Sequence, residues 1–477
     1  MLAGCKVGEP QSFSRNVAEP RQRSFDGWVN LTNRSAIAPG PRGRWPVGNL
    51  RALRRDVLGL MLKSSREYGD VVRFHIGPFV VHLLNHPDHV EHVLQSHARN
   101  YDKATRSSAK IRSISGDSLL TSNGELWQRQ RRLMQPSFHR QRIAGLAGRM
   151  IEFTAAMLER WRSNIATGEP LDVASEMMRL TYTIVGKTLL GADVGEETSA
   201  VERAMETILT HTFRRWGNLI DLPESVPAPG NLRFRRAMRV MDQIVYRIIA
   251  EHRSAEGSNT DLLGMLLDVR DEETGQGLSD TELRNETITF LLAGHETTAN
   301  ALSWIFYLLS QNPDAERQLR AEVSAVLGGC APTVDLLPHL KFTTMVIQEA
   351  MRLYPPIWAI ERRAIADDTI GGFHIPAGSS VVISPYALHR NENFWPHPER
   401  FDPTRFATRP RAYIPFGSGP RFCIGNEFAM MEARLIVPMV IQSCHLQLVP
   451  GHPVEPQPSI TLRLKNGLRM TVGPPSG

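Results

Sequence analysis

The chain has 477 residues, of which 42% are hydrophobic and 22% charged, as in an ordinary soluble globular protein. This composition excludes a mainly disordered chain and allows a large prosthetic group to be enclosed. The formal net charge of +6 is spread along the chain, without the block of like charges that marks a nucleic-acid-binding arm. We therefore expect no nucleic-acid partner.

The four cysteines lie far apart and form no Cys-x-x-Cys pair, so neither a disulfide framework nor a structural zinc site is indicated. This cysteine usage fits a reducing, cytoplasmic location. Residues 1–37 contain no apolar run long enough for a signal peptide or a spanning helix. We expect a flexible leader over residues 1–37, no membrane anchor, and one large domain over residues 38–477.

The predicted elements begin after a Pro/Gly-rich stretch at residues 38–50. Two β-branched and aromatic runs, Val71–Ile76 and Phe79–Leu84, flank a Gly-Pro turn and predict a pair of strands. From about residue 87 to about 355, apolar spacings of three and four predict a helix-rich body. Short β-branched runs follow, with one more helix from about residue 424 to 443. The pattern predicts a mainly α fold with a smaller β-rich part, of the α+β class.

The clearest predicted helix begins at Ser279, which forms a capping box with Glu282, and it continues to Gln311 before Asn312-Pro313 ends it. At about 1.5 Å per residue it would be on the order of 50 Å long. Its middle, residues 293–298, reads AGHETT and places polar groups inside an otherwise apolar segment. Buried polar groups are costly, so this exception indicates a function.

We expect Thr297 to donate a hydrogen bond to the carbonyl of Ala293, which with Gly294 opens the helix into a small polar notch for dioxygen and water. Two other interpretations compete. A zinc-binding H-E-x-x-H motif is incomplete, because Ala299 stands at the second histidine position. A solvent-facing polar patch is disfavoured by the apolar residues on both sides.

Residues 416–425, FGSGPRFCIG, form a glycine-rich loop that leads into the helix opened by Cys423. A helix N-terminus lowers the pKa of a thiol and can hydrogen-bond its sulfur. Gly425 lets the following helix approach a flat ligand, and Arg421 can reach a carboxylate. Taken alone, a cysteine at a helix start is more often a buried structural residue.

The whole pattern changes that balance, because F-x-x-G-x-R-x-C-x-G resembles the signature of the cytochrome P450 superfamily. The resemblance implies the cytochrome P450 fold and a b-type haem whose iron takes Cys423 as its proximal ligand. It also implies that Phe416 packs against the sulfur and that Arg421 binds a haem propionate. Electron donation by a thiolate favours O–O bond cleavage, which suits such a site to activating oxygen.

AGHETT resembles a second element of the same family, A/G-G-x-D/E-T-T/S. The resemblance implies that the hydroxyl of Thr297 acts on dioxygen, that Glu296 belongs to a proton-delivery chain, and that Ala293 and Gly294 lie over the haem.

Trp127 and Arg131, in WQRQR, share one helical face and would otherwise indicate a solvated basic face. They resemble the family's W-x-x-x-R pair, which implies that both bind haem propionates, and Arg362 matches a further propionate-binding arginine. Other arginines near this helix are candidates for a cationic docking face: Arg129, Arg132, Arg140 and Arg142.

Glu349 and Arg352, spaced three apart, would usually form a surface salt bridge. They resemble the family's ExxR element, which implies a buried ion triad completed by Arg400. Both interpretations give these residues a structural role.

The resemblance implies a monomeric, soluble, bacterial-type monooxygenase that inserts one oxygen atom of O2 into a lipophilic substrate: a terpene, steroid, fatty acid or polyketide. Electrons would come from NAD(P)H through a reductase and a ferredoxin or flavodoxin. A haem-thiolate peroxygenase or isomerase and a non-catalytic haem-binding protein remain as alternatives, and Glu296 with Thr297 favours the monooxygenase. The implied pocket-lining segments are the loop after Tyr101, residues 213–230, Phe290 with Ala293, Ile357–Ile360, and Ser459–Thr461.

Overall fold

Helices dominate the computed structural model, which describes residues 36–189, 191, 198–216, 223–254, 261–271 and 273–475. The predicted leader lies outside the described residues except for its last two, so its flexibility and its boundary stay predictions. The described helices are α1 (Leu50–Arg55), α2 (Val57–Tyr68), α3 (Pro87–Glu91), α4 (Arg106–Ser115), α5 (Gly124–Met134), α6 (Arg140–Ala144), α7 (Ala147–Thr167), α8 (Val173–Leu189), α9 (Thr198–Trp216), α10 (Pro229–Ser254), α11 (Leu262–Asp268), α12 (Asp280–Gln311), α13 (Pro313–Leu327), α14 (Lys341–Leu353), α15 (Pro385–Leu388) and α16 (Asn426–Ser443).

The strands are short and form several small sheets. They are β1 (Val71–Ile76), β2 (Phe79–Leu84), β3 (Tyr101–Asp102), β4 (Leu171–Asp172), β5 (Ile360–Ala364), β6 (Asp368–Ile370), β7 (Phe373–Ile375), β8 (Ser380–Ile383), β9 (His445–Leu448), β10 (Pro456–Pro458), β11 (Leu462–Leu464) and β12 (Arg469–Gly473). The largest sheet has the order β1-β2-β8-β5-β3, and smaller sheets pair β4-β12-β9, β10-β11 and β6-β7. The predicted mainly α fold with a smaller β-rich part is confirmed.

The predicted strand pair is confirmed residue for residue. β1 and β2 run antiparallel with Ile76 opposite Phe79, and β2 continues the sheet through a parallel pairing with β8. Because β3 closes the same sheet against β5, the loop that follows Tyr101 lies beside the strand that carries Arg362.

The long predicted helix is α12, which runs unbroken for 32 residues from its Ser279–Glu282 capping box to Gln311. Most of its side chains are buried on all sides, as expected of a helix that passes through the interior of a large domain. This placement carries the AGHETT segment into the core.

A buried ion pair anchors the end of α14. The Arg352 guanidinium donates to both carboxylate oxygens of Glu349, with Nε to Oε2 at 2.7 Å and Nη2 to Oε1 at 2.9 Å, and both side chains are fully buried. The predicted role of Arg400 in the triad is wrong, since that residue contributes only its backbone carbonyl to Arg352. Arg405 is the second cation, with Nε 3.4 Å from Glu349 Oε1, because a 3₁₀ turn at Pro403–Ala407 folds it back onto α14.

A π-helical turn at His92–Ser96 follows α3 directly. Its backbone and side chains contact the cysteine loop, where Gln95 Nε2 donates to Ser418 Oγ at 2.6 Å. Single π-helical turns contain one residue more per turn than an α-helix and often occur at functional sites.

Candidate active site

The cysteine loop takes its shape from its glycines and from backbone hydrogen bonds within it. The Cys423 N–H donates to the carbonyl of Phe416 at 3.0 Å, and α16 begins at Asn426 with Gly425 as its N-cap. Gly419 has a positive φ of 70°, and a Cβ there would collide with the carbonyl oxygen of Leu94 in the π-helical turn. The loop therefore has room for no other residue at that position.

The thiol of Cys423 faces an internal space. The residue is solvent-accessible, yet burial raises the pKa of its thiol above the ordinary value. The predicted lowering of the pKa by the helix N-terminus is outweighed, although the Gly425 N–H, Arg131 and Lys103 all act in that direction. Both properties are expected of a sulfur that is accessible to solvent but largely surrounded by protein, where a bound metal cation would favour the thiolate.

Four cations surround this space: Lys103, Arg131, Arg362 and Arg421, the cation cluster. Arg421 Nη2 donates to the carbonyl of Ser122 at 2.9 Å and to Asn123 Oδ1 at 3.2 Å, while its buried Nη1 has no hydrogen-bond partner within the described part of the chain. Its guanidinium lies 4.3 Å from the centre of the Trp127 ring. Arg421 and Trp127, both expected to bind haem propionates, thus lie beside each other.

Lys103 and Arg362 lie near Arg421, so three positive charges are close together. Lys103 Nζ donates to the carbonyl of Leu120 at 2.7 Å, and burial together with the two arginines holds the pKa of Lys103 well below its ordinary value. Burial likewise lowers the pKa of Arg362 and of Arg421 to about 10. Lys103 was missed by sequence reasoning, because it follows β3 in a loop that carries no recognisable motif.

Arg131 completes the cluster from α5. Its Nη1 donates to the carbonyl of Phe422 at 3.0 Å, next to the cysteine. Burial lowers the pKa of Arg131, and Cys423 opposes that shift. Trp127 and Arg131 therefore both lie at the cysteine loop, one against Arg421 and the other against the loop backbone.

The predicted hydrogen bond within α12 is present, although the helix is not interrupted there. Thr297 Oγ1 donates to the carbonyl of Ala293 at 2.7 Å, and Ala293 is exposed although the preceding turn and most of the following helix are buried. An exposed alanine in the middle of a buried helix marks an internal cavity. Ala293, Gly294 and Thr297 line this oxygen notch.

Glu296 points away from the notch towards the C-terminal strands. Its Oε1 accepts hydrogen bonds from Thr461 Oγ1 at 2.5 Å and from Arg463 Nε, and the side chain is 2% exposed. Asn300 Nδ2 donates to the same threonine hydroxyl at 3.0 Å. Sequence reasoning missed Arg463, although an arginine between Leu462 and Leu464 in a short strand indicates a side chain directed opposite to its neighbours.

A second carboxyl lies close to the notch, on α16. Burial raises the pKa of Glu432 well above its ordinary value, and Thr298 of α12 opposes the rise. Burial therefore favours the neutral form of this carboxyl. The contact shows that α16, which begins at the cysteine loop, packs against α12 beside the oxygen notch.

The implied pocket-lining segments fall in several places. Trp358 Nε1 donates to the carbonyl of Ser459 at 2.9 Å, so the segments 357–360 and 459–461 lie side by side. Phe290 is buried against Phe138. Residues 217–222, part of the segment 213–230, lie outside the described residues.

These residues fit a haem. The cavity contains an accessible thiol, and a Cβ added at Gly425 would meet no atom within 4 Å. Within the described ranges, none of Lys103, Arg362 and Arg421 forms an ion pair with a carboxylate, although each is partly or wholly desolvated. Buried cations need anionic partners, and the two propionates of a haem are groups of that charge.

Two of the four arginines expected to form a docking face are paired within the molecule, and the docking face itself stays a prediction. Arg129 pairs with Glu282 at 2.7 Å, and Arg132 pairs with Asp271 at 3.0 Å, so both charges are neutralised within the molecule. Arg140 and Arg142 are exposed, and no acidic side chain of the described residues forms an ion pair with either. No helix in the described part of the chain is long and apolar enough to span a membrane.

Comparison with known proteins agrees with this geometry. The family model described as Cytochrome P450 matches residues 38–470. The chain is 36% identical to cyclooctatin synthase of Streptomyces melanosporofaciens, over 90% of this chain and 94% of the relative. It is 36% identical to cyclooctat-9-en-7-ol 5-monooxygenase of the same organism, over 85% and 88%, and 34% identical to pentalenene oxygenase of Streptomyces avermitilis, over 92% and 98%.

The match covers almost all of the described residues, and it includes every element that surrounds Cys423 and the oxygen notch. The chain belongs to the cytochrome P450 family and is a monooxygenase.

Proposed function

We propose that this enzyme oxidises a terpene, with a b-type haem ligated by Cys423. The observation that carries the proposal is an accessible thiol beside four desolvated cations, in a chain whose long buried helix α12 has an exposed alanine and a threonine hydroxyl at its middle. The terpene assignment is supported by the relatives, of which one is a cyclooctat-9-en-7-ol 5-monooxygenase and another a pentalenene oxygenase.

The haem, when bound, supplies the activation of O2 and the insertion of one oxygen atom into the substrate. Cys423 would ligate the iron. Lys103, Arg362 and Arg421 bind the propionates together with Trp127 and Arg131, and Phe416 packs beside the sulfur. Gly425, Ala293 and Gly294 leave space for the flat ring because they carry small side chains or none.

Thr297 orients dioxygen and a water molecule at its Oγ1. The hydroxyl hydrogen itself is donated to the Ala293 carbonyl, so Oγ1 is left to accept a hydrogen bond from that water. Glu296 belongs to the proton-delivery chain. Its ion pair with Arg463 of β11 must loosen for the carboxylate to reach the notch. The acid and the hydroxyl support a monooxygenase over a passive haem-binding protein.

Electrons reach the enzyme from NAD(P)H through a reductase and a ferredoxin or flavodoxin. Arg140 and Arg142 are the exposed cations of the predicted docking face that have no internal partner in the described part of the chain, and they attract an acidic donor. The enzyme acts as a cytoplasmic monomer.

The first experiment is the carbon monoxide difference spectrum of the dithionite-reduced protein, for wild type and Cys423→Ser. We expect the red-shifted Soret band of a thiolate-ligated haem in wild type and its loss in the variant, with Cys330→Ser as the matched control that keeps it. A haem-free or short-wavelength spectrum from well-folded wild type would overturn the proposal.

The role of Thr297 is tested by the coupling of electron use to product formation, measured as product per oxidised nicotinamide. Thr297→Ala removes the hydroxyl, so we expect reductant consumption to continue while peroxide replaces product. Thr298→Ala is the matched control because it removes a neighbouring hydroxyl that makes the same kind of bond, to the carbonyl of Gly294 four residues earlier, from a side chain that is buried. Unchanged coupling in Thr297→Ala would refute the role assigned to the hydroxyl.

A further inference from the structure

The segment 116–123, here the bridging loop, connects α4 to α5 and holds two members of the cation cluster by its backbone. Its Leu120 carbonyl accepts from Lys103 Nζ at 2.7 Å, and its Ser122 carbonyl accepts from Arg421 Nη2 at 2.9 Å. Asn123 Oδ1 accepts both the Lys103 N–H at 2.9 Å and Arg421 Nη2 at 3.2 Å. The position of this loop therefore sets the position of both cations.

Glu286 ties the bridging loop to α12. Its side chain is fully buried, and its Oε1 accepts the Leu119 N–H at 2.8 Å. The other oxygen, Oε2, is also buried and has no hydrogen-bond partner among the residues that the structure describes. Glu286 lies on the same helix as Thr297, eleven positions earlier by sequence number, so one side chain links the notch-bearing helix to the cation-bearing loop.

The two residues before Glu286 on α12 also contact this part of the chain, but not at Leu119. Arg284 Nη1 donates to the carbonyl of Ile114 at 3.0 Å, at the end of α4. Asn285 packs so closely on Gly116 that a Cβ there would lie 2.5 Å from its amide atoms. These contacts fix the start of the bridging loop, whereas Glu286 reaches its middle.

We propose that Glu286 is a positioning residue that locks the bridging loop onto α12 and thereby places Lys103 and Arg421 for the haem propionates. The inference rests on the proposed haem binding for its consequence, but the lock itself is a property of the protein. Glu286 touches no reacting atom, and it acts through the Leu119 N–H.

The electrostatics of Glu286 support this role. Burial raises the pKa of its carboxyl to about 8, and Glu282, four residues earlier, raises it further, while the Leu119 N–H opposes the shift. Glu282 is itself paired with Arg129. The carboxyl is therefore neutral at pH 7 and acts as a hydrogen-bond acceptor rather than as an anion.

The sign of the pH dependence follows from that shift. The pKa of this acid is higher in the folded protein than in the unfolded chain. Its full contribution to the free energy of unfolding is present below the unfolded-state pKa and is lost as the pH rises through the folded-state pKa. Above a pH of about 8, Glu286 becomes a buried negative charge with no donor to Oε2 among the described residues, and we expect that charge to open the lock. The bridging loop should then loosen.

The test compares wild type, Glu286→Gln and Glu286→Ala by hydrogen exchange of the Leu119 amide, corrected for the intrinsic rate, and by the rate of haem transfer to apomyoglobin. Gln keeps the acceptor and removes the titration, whereas Ala removes both. At pH 7 we expect Gln to match wild type and Ala to lose haem roughly tenfold faster, with the exchange of Leu119 increased by a similar factor. Raising the pH above about 8 should release haem and expose Leu119 in wild type but not in Glu286→Gln.

Glu322→Ala is the matched control, because Glu322 also accepts backbone N–H groups, from Phe342 and Thr343 at the start of α14. We expect it to lower the free energy of unfolding without selective exposure of Leu119. Equal exchange in Glu286→Ala and wild type overturns the proposal, and so does the same pH profile in wild type and Glu286→Gln. If Glu286→Ala does not fold, the proposal is tested by comparing the pH dependence of haem release and of Leu119 exchange in wild type and Glu286→Gln. A wild type that binds no haem but shows the predicted exchange refutes the proposed function and retains the lock.

Discussion

Two groups of buried charge in this enzyme differ in what surrounds them. In the first, Arg352 satisfies Glu349 on both oxygens and donates in addition to the carbonyls of His389, Pro398 and Arg400. In the second, the cation cluster has carbonyl and amide partners, but none of its members forms an ion pair with a carboxylate within the described ranges. The first group is complete within the protein, and the second is not.

The difference separates charges that hold the fold from charges that wait for a ligand. A buried ion pair with all its hydrogen bonds made is costly to break but gives no reason to bind anything else. Desolvated cations that lower one another's pKa destabilise the protein until an anion joins them. The cation cluster therefore favours haem binding at the expense of the stability of the haem-free protein.

The largest effect should come from breaking the complete group. Arg352→Met leaves Glu349 fully buried without its main partner, so we expect the free energy of unfolding to fall by about 3–5 kcal/mol. Urea unfolding followed by tryptophan fluorescence measures it. Arg405→Met is the milder control, since its Nε lies 3.4 Å from the carboxylate. Equal losses in the two variants would contradict the comparison.

Removing a member of the cation cluster should leave the free energy of unfolding of the haem-free protein intact and should lower haem affinity instead. Lys103→Met deletes a desolvated ammonium that has no carboxylate partner in the described structure. We expect the haem-free protein to be at least as stable as wild type, while haem affinity falls roughly tenfold to a hundredfold through the loss of a charged hydrogen bond. Urea unfolding and haem titration measure the two quantities. A lower stability with unchanged haem affinity would place Lys103 in the first group.

The smallest effect is expected at the surface, where the same distinction applies to the docking arginines. Charge reversal of the unpaired Arg140 and Arg142 should slow electron transfer from a ferredoxin about threefold, more at low ionic strength. Arg132→Gln is the control because Asp271 already neutralises that charge. Stopped-flow reduction of the enzyme measures the rate, and a larger effect from Arg132→Gln would show that internal pairing does not exclude docking.

Sequence patterns predicted the elements whose signal is local. The capping box at Ser279 and the alternation of β1 and β2 depend on neighbours within a few residues, and both elements have the predicted bounds. The bond from Thr297 to the carbonyl of Ala293 also spans a single helical turn. The cysteine loop was found because five fixed positions lie within ten residues.

The sequence did not predict the contacts that join distant segments. Lys103 and Arg421 are 318 positions apart by sequence number, and nothing in the local sequence around Lys103 marks it as a member of the cluster. The prediction that Arg400 completes the ion triad was wrong. Arg405 stands in the same segment, PERFDPTRF, and the 3₁₀ turn directs Arg405 towards Glu349. The raised pKa of Cys423 depends on burial, which the sequence does not state.

The π-helical turn at His92–Ser96 imposes a condition on chain length. Its extra residue places the carbonyl of Leu94 against Gly419 and the side chain of Gln95 on Ser418. Deleting one residue there would let the turn relax to an ordinary α-helix and withdraw both contacts from the cysteine loop. In the course of evolution, this stretch should accept many exchanges of side chain but few insertions or deletions, because the spacing rather than the identity of its residues supports the loop.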